Sequence, residues 1–165
     1  MTPPIRLPSF ATLIANPRLF LALGFGSGLS PKAPGTVGTL MAVPLFLLLQ
    51  QLPLGAYLAA LLLATVVGIY LCDYAGKYLG VSDHGAIVWD EFVGFWIAML
   101  FAPHGLMWVF YGFVLFRLFD IWKPWPIGWV DKKVKGGFGV MLDDVLAGLM
   151  ALLVLQLTAI CLPWA

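Results

Sequence analysis

Apolar residues run through this chain in long blocks, and polar residues interrupt them at few places. The blocks cover residues 19–29, 37–52, 54–72, 87–101, 105–119 and 140–162. Continuous apolar runs of this kind predict helices buried on all sides or facing lipid, and not the one-sided stripe of a soluble surface helix. The first block is broken by Gly24, Gly26 and Gly28 and is too short to cross a bilayer, which takes about 20 residues. It reads as an interfacial or re-entrant segment. The other five read as membrane spans separated by Pro53, by a polar loop at 73–86, by Pro103 and by a charged loop at 120–139. The expectation is an all-α polytopic membrane bundle of about five transmembrane helices, formed by one domain over residues 1–165. Residues 1–18 would make an N-terminal cytoplasmic arm.

Composition agrees. Hydrophobic residues make up 62% of the chain and charged residues 10%, against about 25% in ordinary soluble domains. A soluble domain of 165 residues keeps about a third of its unfolded surface exposed, too much to hide this apolar content. A soluble globular protein, a disordered chain and an electrostatic nucleic-acid binder are thereby excluded. The opening MTPPIRLPSF lacks the apolar core of a signal peptide. Cys72 and Cys161 lie in different apolar blocks, so no disulfide framework is expected.

The few charges carry the functional information. With five spans and an inside N-terminus, all nine basic residues fall on or near one face, and the turns at 52–54 and 103–105 carry no charge. The positive-inside rule makes the basic face cytoplasmic. Asp90, Glu91, Asp120, Asp143 and Asp144 sit at span ends on that same face. Carboxylates at such positions are costly and are kept when they bind an ion, relay a proton or pair with a base.

In RLFDIWKPWP, Arg117, Asp120 and Lys123 are spaced three apart and share a helix face. One reading is an internal ion-pair network. The other is a site for an anion and a divalent metal, with the Arg117 fork and the Lys123 charge on phosphate and Asp120 on the metal. Asp90–Glu91 and Asp143–Asp144 are adjacent pairs whose members point about 100° apart, so each pair divides its work. The helix dipole accounts well for one acid per pair and poorly for the second; a metal ligand in each pair is the other reading. An oxygen-only ligand set favours Mg²⁺ or Mn²⁺ over Zn²⁺.

The stretch GFGSGLSPKAPGTVGT, which holds Lys32, has the composition of a phosphate-cradling loop but lacks the G-K-[ST] of a P-loop; a re-entrant turn fits it equally. His84 reads either as an acid–base group or as a loop residue, and His104 as an interfacial residue on the far side. Trp122, Trp125 and Trp129 read as an interfacial belt, and Asp73–Lys77 as a surface pair. Neither cysteine has an arginine six positions on, and D-x-D-x-T is absent. The phosphatase chemistry left open is attack by a metal-activated water on phosphorus.

Four blocks, GSGLSPKAPGTVGTL (26–40), DHGAIVWDEFVGFW (83–96), FRLFDIWKPWPI (116–127) and GGFGVMLDDVLAG (136–148), resemble the signature segments of the phosphatidylglycerophosphatase A family, in the family's order. The resemblance implies an all-helical, Mg²⁺-dependent lipid phosphatase of the bacterial inner membrane. Such an enzyme converts phosphatidylglycerophosphate in the bilayer to phosphatidylglycerol and inorganic phosphate. It carries the family's polar residues onto Lys32, Thr36, Thr39, Asp90, Glu91, Arg117, Asp120, Lys123, Asp143 and Asp144. Among these, Glu91, Asp120 and Asp144 are expected to hold metal, with Asp90 and Asp143 next. Asp90, Glu91, Asp120 and Asp144 are expected to be catalytic. Lys32, Thr36, Thr39, Arg117 and Lys123 are expected to bind the substrate phosphate. The rival class is a small membrane transporter or ion carrier using the clustered carboxylates; the nearly pure apolar span interiors count against it.

Overall fold

The computed structural model describes residues 7–162; Arg6 of the N-terminal arm and residues 163–165 of the tail lie outside the described residues. The described residues form eight α-helices and one 3-10 turn, with no strands among them. Two short helices open the chain. Helix α1 (Phe10–Ala15) is capped by Ser9, whose side chain accepts from Thr12 N, and α2 (Pro17–Ala22) by Asn16, with proline in its first turn. Such caps satisfy backbone donors that a helix start leaves unpaired. The 3-10 turn Gly24–Leu29 follows, so the glycine-broken block forms a compact turn after α2.

Five longer helices make the bundle: α3 (Pro34–Leu49), α4 (Leu54–Leu79), α5 (Trp89–Ala98), α6 (Leu106–Trp122) and α8 (Gly136–Cys161). Between the last two lies α7 (Ile127–Lys133). Helix α5 is central. All ten of its residues are buried, and it packs against α3, α4, α6 and α8. Phe92, Phe95 and Phe116 are among the largest fully buried side chains around it. The outer faces are apolar: Leu58, Leu62, Leu63 and Val66 of α4 and Leu149, Leu153, Leu157 and Ile160 of α8 are exposed at helical spacing. An apolar surface of that extent is suited to lipid and not to water.

The five expected crossings are not reproduced. Two helices, α4 and α8, are long and apolar enough to cross a membrane, with 26 residues each. At 1.5 Å per residue they reach about 39 Å, α3 about 24 Å and α5 about 15 Å, against a hydrocarbon core of about 30 Å. The reason lies in what an apolar run measures. Block 87–101 is apolar because neighbouring helices enclose it, and an enclosed helix has the same composition as one in lipid. Helix α4 also outruns its block. It continues through the Asp73–Lys77 pair, which closes at 2.6 Å on its last turns, and stops at Gly80 with φ of +75°. Both cysteines are free, Cys72 buried and Cys161 exposed.

Candidate active site

Three helix ends and an inner stretch of a fourth helix meet at one end of the bundle. Helices α3 and α5 start there, α6 ends there, and α8 contributes its second and third turns. Asp90 and Glu91 fall in the first turn of α5, where unpaired N–H groups favour carboxylates. Arg117 and Asp120 lie one turn apart near the end of α6, and Lys123 is its C-cap, with left-handed backbone at φ 47° and ψ 55°. Asp143 and Asp144 sit about 10 Å along α8 from its first residue, at 1.5 Å per residue. The acids are therefore recessed from the tip of the long helices.

The polar side chains form two linked clusters. In the first, Arg117 Nη1 bridges Glu91 Oε2 and Asp120 Oδ2, the latter at 2.6 Å. Thr39 of α3 donates its hydroxyl to Glu91 Oε2 at 2.8 Å, and the Gly35 carbonyl lies 2.9 Å from the same hydroxyl. Gly35, in the first turn of α3, faces the other carboxylate oxygen. A Cβ there would collide with Glu91 Oε1 and come within 3.1 Å of Arg117 Nη2. The missing side chain lets the positive end of α3 close over Glu91.

In the second cluster the Lys123 ammonium donates to Asp143 Oδ2 and to Asp131 Oδ1, each at 2.7 Å. Burial alone disfavours its charge, but the hydrogen bonds and charges of Asp131 and Asp143 outweigh that and hold Lys123 well above the ordinary lysine value. Asp90 and Asp144 complete the group. Both are buried, at 9% and 3% exposure. Asp90 Oδ1, Asp143 Oδ1, Asp144 Oδ2 and Arg117 Nε are buried and find no hydrogen-bond partner among the described residues. Leaving buried polar atoms without partners is costly.

Those three carboxylate oxygens are hard donors, the chemistry Mg²⁺ takes. Among the described residues, however, no three His, Cys, Asp or Glu side chains are gathered into a ready-made ligand group. The donor set suits a hard divalent cation, and the carboxylates are not drawn in around one point.

Of the residues singled out in the sequence, Thr39, Asp90, Glu91, Arg117, Asp120, Lys123, Asp143 and Asp144 converge here. Lys32 is exposed on the stretch before α3, where Ser30 Oγ donates to its carbonyl at 2.9 Å, and Thr36 is half-buried on the first turn of α3. His84 is tied into its loop, its Nδ1 accepting from Ala86 N at 3.1 Å. His104 lines a cavity with Gln50 and Tyr57 at the other end of the bundle. Asp131 was not singled out. It is eight residues from its lysine across a turn, a spacing no helical pattern reveals, and it sits in a run of lysines that reads as solvated loop.

No solved structure matches this chain. Residues 20–159 match the family model described as Phosphatidylglycerophosphatase A. A protein of Escherichia coli (strain K12) with that name is 50% identical over 139 residues, 84% of this chain and 81% of its own length. One of the same name from Haemophilus influenzae is 46% identical over 143 residues, 86% of this chain and 88% of the relative. A Bacteroides thetaiotaomicron relative, provisionally named phosphatidylinositol-3-phosphatase, is 38% identical over 159 residues, 92% and 95% of the two chains. A match over this much of the chain makes the chain a member of the phosphatidylglycerophosphatase A family.

Proposed function

We propose that this protein hydrolyses phosphatidylglycerophosphate to phosphatidylglycerol and inorganic phosphate in a bacterial inner membrane. The observation that carries the mechanism is a charge imbalance. Asp90, Glu91, Asp120, Asp131, Asp143 and Asp144 face Arg117 and Lys123, so six carboxylates meet two cations and leave a formal excess of four negative charges. A phosphate monoester carries nearly two more negative charges at neutral pH. It binds only if further positive charge accompanies it.

Mg²⁺ is the cation we assign, held by Glu91, Asp120 and Asp144 with Asp90 and Asp143 next; when bound it supplies Lewis acidity and a water of lowered pKa. Arg117 and Lys123 take the phosphoryl oxygens, Arg117 through its planar fork and Lys123 through a compact charge. Thr39 fixes Glu91 by its hydroxyl. In the reaction the water oxygen bonds to phosphorus and the ester P–O bond breaks. One proton of the water passes to an unpartnered carboxylate oxygen of the cluster, which returns it to the leaving glycerol oxygen, while the water's other proton stays on the released phosphate.

The orientation follows from charge. Lys77, Lys132, Lys133 and Lys135 lie toward the site end, whereas the connections at 50–53 and 99–105 carry no Lys, Arg, Asp or Glu. The site then faces the cytoplasm, with α4 and α8 crossing the membrane and the shorter α3 and α6 completing a multi-pass bundle in a locally thinned bilayer. Substrate acyl chains stay beside the apolar outer faces. Charges gathered at one end serve a phosphoryl site; a transport path needs them across the midplane.

The test is phosphate release from phosphatidylglycerophosphate by purified protein in mixed micelles. Release with Mg²⁺ that stops on adding EDTA and returns with excess Mg²⁺ is expected. A protein that releases no phosphate under these conditions refutes the reading. Activity undiminished by EDTA refutes its metal.

A further inference from the structure

Lys123 is held at both ends by α7. Its backbone turns left-handed at the end of α6, and Gly128 of α7 packs against its carbonyl with no room for a side chain between them. Its ammonium then reaches Asp131, three residues further along α7. Helix α7 is itself anchored, because Ile127 and Val130 are buried on its inner face. The second partner, Asp143, belongs to α8 and lies deeper: its side chain is 7% exposed, against 28% for Asp131. Asp131 and Asp143 also line the same small cavity, with Ser82, Asp83 and Lys135 around it.

A lysine stem is flexible, and an isolated exposed ion pair of this kind adds little stability. Pulled by Asp143 alone, the ammonium would turn toward the buried carboxylates. A second carboxylate on a rigid, separate helix holds it between α7 and α8, at the more open side of the cluster. Two of its three N–H donors are then committed and one is left for a ligand.

We propose that Asp131 is a positioning residue for substrate binding: it holds the Lys123 ammonium where the phosphoryl group of the lipid enters the site. The assignment rests on the phosphatase reading above and adds to it the residue that fixes one of its two phosphate-binding cations.

The experiment compares wild type, Asp131→Asn, Asp131→Glu, Lys123→Gln and the Lys123→Gln/Asp131→Asn double variant. Phosphate release from phosphatidylglycerophosphate is measured in mixed micelles, with thermal unfolding in the same detergent. Asp131→Asn is expected to raise KM about tenfold with kcat within about twofold, in the range of couplings inside one ion-pair network. Asp131→Glu is expected to restore most of the loss. In the Lys123→Gln background the Asp131 change is expected to add nothing. An unchanged KM in Asp131→Asn overturns the assignment, as does a loss that adds fully to that of Lys123→Gln. If Asp131→Asn unfolds, an Asp131→Glu protein that is folded but no better than Lys123→Gln overturns it too. In all these cases wild type is active. Wild type that releases no phosphate overturns the phosphatase reading instead, and this assignment with it.

Discussion

At the scale of single residues, Gly35 decides how closely α3 approaches the acids. In most helices Gly→Ala is favourable by about 0.5–1 kcal/mol. Here the new methyl would strike Glu91 Oε1, and Glu91 has little freedom to yield because Thr39 and Arg117 hold its other oxygen. Gly35→Ala is expected to lower kcat/KM by about a hundredfold, the scale of an ångström-sized misplacement in a site. Steady-state phosphate release checks this, and activity within twofold of wild type would refute it. The acids and bases themselves were legible in the sequence, because a charge inside an apolar run stands out. Gly35 was not, since one glycine among several in GSGLSPKAPGT gives no sign of which carboxylate it faces. Asp131 was hidden for the opposite reason: among lysines an aspartate looks ordinary. Lys32 and His84 stood out equally in the sequence but lie apart from the two clusters.

At the scale of elements, the crossing of α5 and α8 supports the acid pairs. Gly148 of α8 lies against the Gly94 carbonyl of α5, and a Cβ at Gly94 would meet the Phe116 ring and the Asp144 carbonyl at 2.8 Å. Small residues let helix backbones approach where no water drives them together. Gly148→Ala is expected to cost about 1–3 kcal/mol through overpacking. That would appear as a lower thermal unfolding midpoint in detergent, with activity falling alongside because Asp144 shares the contact. An unshifted midpoint would show that the helices can part at no cost. Helix positions in the sequence were mostly readable from apolar blocks bounded by proline and glycine. Helix lengths were not. The polar end of α4 has the pattern of a loop although it remains helical to Leu79, and the charged stretch around α7 masks a helix despite its buried Ile127 and Val130.

At the scale of the whole molecule, the sidedness of the charges was the most reliable reading, and the count of crossings the least. Charge placement follows one constraint, the cost of moving a charge through lipid. Apolar content answers two, lipid contact and burial by protein, and the sequence alone does not separate them. The proposed orientation can be checked with the native cysteines. Cys161 is exposed at the end of α8 remote from the acids, and Cys72 is buried. A membrane-impermeant maleimide added to spheroplasts is expected to modify Cys161 and spare Cys72. Labelling of Cys161 only after the membrane is opened would invert the orientation.

Helix α5 has no face of its own toward lipid, and its last wall is α8, the final helix to be synthesised. Until that wall arrives, Asp90 and Glu91 have no Asp143 or Asp144 beside them, and α5 has an open side. A chain halted after α7 is therefore expected to release no phosphate, and activity in such a truncation would refute the role given to Asp143 and Asp144.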